Sequence, residues 1–347
     1  MKKRIVAFLL AAGLLGAAAS SGRAHARDKG EERRNERRGI TLEFWGGYTG
    51  LAPHDLNLRS DFERAYVDYF FNQKFDFLAG WRSGYYSYIQ TAGSVIRFDP
   101  ITGTTPVGFR AKLILNRVFS LSLGLAFLSR AVTAYYSAGY AITDMDPDNV
   151  EFNGSCRQVI DFPQWRLAVR AWTPLAAVHA RTRLARRIQL EGYAGAGIVF
   201  ARCSSTREYT LKTTDPDGFW ELNRDLEEMQ GSGRGVAVEV GAQAGFPLNA
   251  RMGVFIEGGY AYRMASNMTG RYSYLQRHED ANSEPHETRW AWEDAIWRVN
   301  NGTYDNPWGR WNASWPTMAD PAQLGNSGPF HLDLSGFQVR IGLAWHL

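Results

Sequence analysis

Three kinds of side chain in this sequence carry enough chemistry to specify a function: histidine–carboxylate pairs, two cysteines, and tryptophans crowded into one stretch. A histidine within reach of a carboxylate is the minimum for general acid–base work. His54-Asp55 is the best such pair and His331 near Asp333 the next, but no motif around either supplies a positioned nucleophile. His278-Glu279-Asp280 and His286-Glu287 carry metal-ligating atoms at a spacing that fits no zinc pattern. Asp144-Met145-Asp146-Pro147-Asp148-Asn149 opens like a calcium loop, yet Asn149 and Ser155 stand where the glycine and closing glutamate belong. No metal or cofactor is implied, no catalytic residue is assigned, and the reading leans away from an enzyme. Cys156 and Cys203 are the only cysteines and admit one disulfide, which would tie two loops at the outer ends of neighbouring strands. Trp290, Trp292, Trp297, Trp308, Trp311 and Trp315 are half of the twelve tryptophans. Rings of that size need burial or a flat partner, so the stretch reads as a self-packed cap or as a platform for sugar or lipid.

The elements that must hold these groups are strands. Ile40, Leu42, Phe44, Gly46 and Tyr48 alternate with Thr41, Glu43, Trp45, Gly47 and Thr49, and the same two-residue period recurs through the chain. Val107 to Leu115 runs into Asn116-Arg117 and returns from Phe119 to Phe127. Ile188 to Phe200 rises from Ala185-Arg186-Arg187, and Val236 to Phe246 turns at Asn249-Ala250 into Met252 to Tyr260. Tight turns alternate with long loops. Two segments resist the pattern. Ser60 to Phe71 carries a capping-box spacing, Ser60-Asp61-Phe62-Glu63, but its Tyr-Val-Asp-Tyr-Phe-Phe content favours a strand. In the fifth strand the apolar positions are odd at Trp165, Leu167, Val169 and Ala171 and even at Val178, Ala180 and Leu184, which predicts a bulge near Thr173-Pro174. The count is then about ten strands, or eight if Ser60 to Phe71 is helix.

Alternation places charges on the face opposite the apolar one. Glu43, Asp68, Asp76, Glu191, Glu239 and Glu257 meet Arg64, Arg82, Arg110, Lys112, Arg166, Arg170, Arg263 and Arg340 there, with Gln189, Gln243 and Gln338. Nearly balanced signs in a narrow interior predict a pairing lattice that fills the space. A selectivity filter would present a ring of one sign. A narrow ion path along Arg110, Lys112 and Arg166 is the functional alternative. A soluble sandwich would turn its polar face outward, which this Gly-, Ala- and charge-lined face does not suit.

The first 26 residues read as a secretory signal: Lys2, Lys3 and Arg4, an apolar run from Ile5 to Ala19, and Ala24-His25-Ala26 as a cleavage site. Residues 27–39 form a charged periplasmic leader, and residues 40–347 the folded domain. The chain holds 39 Lys and Arg against 35 Asp and Glu, and four of those basic residues lie in the signal, so the remainder is neutral and nucleic acid is not an expected partner. Past the signal, no apolar stretch approaches the ~20 residues a membrane helix needs.

The last stretch, from Phe337 onward, puts Phe337, Val339, Ile341, Leu343, Trp345 and Leu347 on one side of an extended chain and Gln338, Arg340, Gly342, Ala344 and His346 on the other. Arg340-x-Gly342-x-x-Trp345-x-Leu347 resembles the C-terminal assembly signal of bacterial outer-membrane β-barrels, with Leu347 where that family commonly ends on an aromatic. The resemblance extends to the signal and the strand pattern from Ile40 to Leu347. It implies an all-β fold, a transmembrane up-and-down antiparallel barrel with long extracellular loops, located in the outer membrane. The expected partners are outer-membrane lipid and lipopolysaccharide, the barrel assembly machinery, and a cell-surface glycan or protein met by the loops. The leading function is a non-enzymatic structural or surface-interaction role. The alternatives are a narrow passive channel and, behind it, a lipid A modifying or proteolytic enzyme. Closing the barrel requires the last strand to pair with the one beginning at Ile40, and Arg340 is expected to meet Glu43 across that seam.

Overall fold

A computed structural model describes residues 39–51, 53–68, 86–91, 98–144, 155–185, 188–214, 220–306, 309–319 and 327–347. The signal and leader expected over residues 1–38 lie outside these, as do Asp76, Arg82, Asp146 and Trp308. Among the described residues are fourteen strands and one helix: β1 (Ile40–Gly50), α1 (His54–Asp68), β2 (Tyr86–Thr91), β3 (Gly103–Thr104), β4 (Val107–Ile114), β5 (Phe119–Asp144), β6 (Ser155–Ala185), β7 (Ile188–Thr214), β8 (Trp220–Pro247), β9 (Met252–Asp280), β10 (His286–Asn306), β11 (Gly309–Ala319), β12 (Ser327–Pro329), β13 (Leu332–Asp333) and β14 (Gly336–His346).

Eight of these strands close on themselves, in the order β1-β4-β5-β6-β7-β8-β9-β14 and back to β1, every pair antiparallel. The first and last strands form the seam in a register running from Thr41↔His346 to Thr49↔Gln338. The outside of the ring is apolar: Phe44, Phe109, Leu123, Val178, Val236, Ile256, Ile341 and Leu343 are all exposed. This is an all-β, up-and-down barrel with the face pattern of a membrane-spanning one. Eight strands close it, the smaller of the two expected counts, because His54–Asp68 is a helix rather than a strand. Its inward stripe is Leu56, Arg59, Ser60 and Glu63, spaced for a helix but mostly polar, so apolar periodicity does not reveal it.

Two hairpin turns at one end are built by the same device. The Asn116 side-chain oxygen accepts from the N–H groups of Val118 and Phe119 at 2.8 and 2.7 Å. Asn249 accepts from Arg251 and Met252, both at 2.8 Å. A side chain that supplies its own turn acceptor explains why these ends are legible in sequence.

The other end is uneven. β1, β4 and β14 have 8 to 11 residues, about what a tilted strand needs to cross a membrane. β5 to β9 have 26 to 31 residues and stand far above the ring as a continuous wall. There β2 joins the free edge of β5, β10 joins the upper half of β9, and β11 and β12 extend from β10. The stretch expected to be the longest loop, Met264 to Phe330, is thus largely strand.

β6 carries no bulge at Thr173-Pro174. Its pairing with β5 runs unbroken from Phe119↔Ala180 to Ala134↔Trp165, and its odd residues point inward throughout, from Trp165 down to His179. The side-chain chemistry of the interior changes along the strand; the facing does not. The faces do switch in β9 and β10. Asn267 (φ 53°) and Asp294 (φ 59°) mark the extra residues, moving the inward set from Ala265 to Met268 and from Trp292 to Ala295.

Candidate functional site

Within the ring the inward face is a charge lattice. Glu43, Glu191, Glu239 and Glu257 supply four carboxylates, and Arg110, Lys112, Arg263 and Arg340 supply four cations, all buried. Lys112 donates to Glu43 and Glu191 at 2.8 and 2.6 Å. Arg110 donates to Glu43, to Glu257 at 2.6 Å and to Gln243 at 2.7 Å. Arg340 donates to Glu239 and Glu257 at 2.6 and 2.7 Å, and Arg263 donates to Glu239 at 2.9 Å. The Tyr193 hydroxyl lies 3.0 Å from Glu239 and 2.8 Å from Glu257, and Gly241 leaves it room: a Cβ there would come within 2.7 Å of that oxygen. The Trp45 ring lies under the Arg340 guanidinium at 3.9 Å. Equal and opposite charges, each with partners, satisfy the condition for burying them.

Arg340 does not meet Glu43. The seam register sets Arg340 opposite Gly47 and Glu43 opposite Ala344, four residues apart, and each finds other partners. Arg166 and Arg170 are not in the lattice either. With odd β6 residues inward, both project from the outer surface. Asp68 sits at the end of α1 rather than on a ring strand.

One lattice constellation escapes a reading based on motifs. His179 Nε2 lies 2.6 Å from Ser122 Oγ and its Nδ1 lies 2.5 Å from Glu191 Oε1, the order of a nucleophile, base and orienting acid. Ser122 and His179 come from adjacent strands 57 residues apart, so no local motif announces them. Both are buried, and Lys112 shares the same Glu191 oxygen, so the group is walled in and belongs to the lattice.

Above the lattice the interior turns apolar. Trp165, Leu167, Val169, Val199, Met229, Met268 and Trp297 pack there with Leu56 of α1 and with Phe98, Ile101, Phe330, Leu332 and Leu334. Phe98 meets Trp165 edge-on at 5.2 Å, and Trp297 tilts against Phe330 at 5.0 Å. Gly231 makes the Trp297 position possible, since a Cβ there would collide with the indole nitrogen. α1 is held across this core by ion pairs from Arg59 to Glu227 and from Arg207 to Glu63, the second at 3.4 Å. Asn57 exchanges hydrogen bonds with the Ile101 backbone at 3.0 and 2.8 Å. Burial pushes the Glu227 carboxyl up, but Arg59 and Arg207 beside it bring it net below the ordinary carboxylate range.

Beyond α1 the inner face of the wall is lined by aromatic pairs and carboxylates. Tyr272 stacks on Trp292 at 4.8 Å and Tyr274 on Trp290 at 5.2 Å, with both indoles about two-fifths exposed. Burial raises Asp225 above its ordinary value even though Tyr274 and Arg207 draw it down, and burial pushes Tyr272 up to about 12, with Glu227 adding to the effect. The tryptophans therefore divide: Trp297 is core, while Trp290 and Trp292 are available at an open face. The side chains of Trp311 and Trp315 lie outside the described set.

His54 is exposed at the start of α1, and Asp55 accepts a hydrogen bond from the His331 backbone at 2.7 Å, which ties the helix to the β12–β13 connection. His278 lies 2.8 Å from the Asn223 side chain. The expected disulfide does not form. Cys203 is a buried free thiol opposite Val169, thirteen residues along β6 from Cys156, about 40 Å at strand rise. A disulfide needs Cα atoms within roughly 7 Å.

No family model matches the chain, and no curated protein matches it. Among solved structures it is similar to a major outer membrane protein from Thermus thermophilus, at 9% identity over 89% of this chain and 99% of that one, with a TM-score of 0.29. It is also similar to the outer membrane protease OmpT from Escherichia coli, at 9% identity over 89% of this chain and 97% of that one, with a TM-score of 0.21.

Proposed function

We propose that this chain is an outer-membrane β-barrel with a closed lumen, whose work is done by the wall that rises from the ring at the cell surface. The observation that carries this reading is the double filling of the interior. A charge-neutral lattice spans the ring, and an apolar core capped by α1 lies directly above it. A conducting path would have to cross both, and the lattice presents no surplus of either sign to an ion. The asymmetry between short turns and tall strands supports an orientation with the turns in the periplasm. The apolar outer face and the β1–β14 seam support membrane insertion, and β14 is the segment offered to the assembly machinery.

The open inner face with Trp290 and Trp292 is where a surface glycan or protein is expected to bind. Planar-bilayer recording tests the closed lumen: purified protein should insert without stable unitary steps. Regular conductance that changes with Arg110→Ala would overturn the closed-lumen reading in favour of a passive channel. The location is tested by fractionation and by heat-dependent gel mobility, both expected to be those of an outer-membrane barrel.

A further inference from the structure

Arg166 and Arg170, which sequence parity assigns to the lumen, stand instead on the outside, and Arg170 belongs to a cluster of arginines in one sector. Arg170 of β6 and Arg202 of β7 are directly opposite in register, and both are exposed. Arg202 is opposite Ser232 on β8, two positions from the exposed Arg234, which is itself opposite Phe200. Directly opposed side chains on a sheet lie about 5 Å apart, and like charges at that separation repel. Among the described residues no carboxylate pairs with any of the three. A sheet that brings three unpaired guanidinium groups together is short of an anion.

The surroundings say which kind. Immediately below Arg170 and Arg202, and level with Arg234, Trp172 stacks on Phe200, centroids 4.2 Å apart and 11° from parallel. Below that, Ile198, Val236 and Val178 continue the apolar outer face. Ten residues separate Phe200 from Leu190, Trp172 from Thr182 and Val236 from Phe246, about the span of one membrane crossing. Arg170, Arg202 and Arg234 are thus the first outward positions, or nearly so, past the apolar belt. Ser129, opposite Arg170, and Ser232 add hydroxyls in the same row.

We propose that Arg170, Arg202 and Arg234 bind the phosphate headgroup of a lipid in the adjoining leaflet, with its chains lying along the apolar face beneath the Trp172–Phe200 pair. The proposal rests on the membrane reading above. Guanidinium forks match phosphate oxygens bidentately, and the bound phosphate converts a repulsive row into a bridged one.

The test uses the full chain in detergent, with native mass spectrometry in the presence of phosphatidic acid, of phosphatidylcholine, or of inorganic phosphate. Wild type should retain one phosphatidic acid at concentrations where phosphatidylcholine is lost, and R170Q/R202Q/R234Q should weaken that retention at least tenfold. Equal retention by the triple variant overturns the proposal. Equal retention of phosphatidylcholine reduces the site to an apolar surface, and full displacement by inorganic phosphate reduces it to an anion site without a lipid.

A second readout separates binding from folding. R202Q should raise thermal stability in lipid-free detergent, where it removes a repulsion, and lower it once phosphatidic acid is added. The same sign in both conditions would count against the site. Heat-dependent mobility is recorded on every variant; a wild type without it fails as a membrane barrel, and the proposal falls with that reading.

Discussion

The ring and the wall above it are built from the same strands and are inside out with respect to each other. In the lower part of β6, Trp172, Val178 and Leu184 face out while Ala177 and His179 face in. In the upper part, Arg166 and Arg170 face out while Trp165, Leu167 and Val169 face in. One strand with one parity serves two solvents. Below, the surrounding medium is apolar and the interior must be polar or small. Above, the arrangement is that of an ordinary soluble protein, with its greasy residues buried. The boundary is a change of residue chemistry at fixed facing, and it falls where the membrane is expected to end.

The most drastic way to break this comparison is to shift the parity itself. A single alanine inserted between Trp172 and Thr173 turns the lower half of β6 over and sends His179 to the lipid face. Assembly should fail outright, read as loss of the heat-modifiable species. Survival of the barrel would mean that a bulge is tolerated there after all.

The next two variants separate the regions. Arg340→Ala removes one of the two cations from each of Glu239 and Glu257, leaves the ring with a net negative charge, and should cost about 3–5 kcal/mol in urea unfolding of the whole barrel. Trp297→Ala empties the upper core at a similar cost, about 3–5 kcal/mol, but the loss should stay in the wall. Limited proteolysis should then cut above the ring while the heat-modifiable barrel persists. If Trp297→Ala unfolds both parts together, the two regions are one cooperative unit.

The smallest effect concerns the joint between them. Glu227→Gln weakens the Arg59 anchor of α1 and should cost about 1–3 kcal/mol, read as faster amide exchange in α1 alone. Acid should do the same. The carboxyl of Glu227 lies below its ordinary 4.5 in the folded protein, so its contribution is complete above 4.5 and is lost as pH falls through the lowered value. Exchange in α1 that is flat from neutral pH to about pH 3, below the ordinary carboxylate range, would argue that this ion pair carries no weight.

Much of the ring was legible because lipid leaves a strong mark. An apolar outer face at every second residue, asparagine-capped turns and a terminal strand with a greasy side all follow from local sequence. The wall is less legible for the same reason: alternation alone assigns the apolar residues Trp165, Leu167 and Val169 to lipid when they belong to a protein core, and periodicity is the same in both cases. The same assignment puts Arg166 and Arg170 in the lumen and requires a bulge at Thr173-Pro174 that the strand does not have. α1 is only the less favoured alternative in the sequence because much of its buried stripe is polar, held by ion pairs and hydrogen bonds. The lattice charges on the ring strands follow from parity, but their partners do not, since the pairing depends on register: Arg340 lies four residues from where Glu43 could reach it. The real parity breaks, at Asn267 and Asp294, occur at residue types that tolerate positive φ, a weak signal without the neighbouring strand in view.

The lattice draws on every strand of the ring: Glu43 from β1, Arg110 and Lys112 from β4, Ser122 from β5, His179 from β6, Glu191 from β7, Glu239 from β8, Glu257 from β9 and Arg340 from β14. Removing any one of β1, β4, β7, β8 or β14 leaves it with a net charge. A barrel that lacks one of these five, or slips one of them by a residue, leaves ions unmatched in a low-dielectric interior. The charges that fill the lumen therefore also serve as a proofreading code, in which an omitted or slipped charged strand is exposed by the ions it leaves without partners.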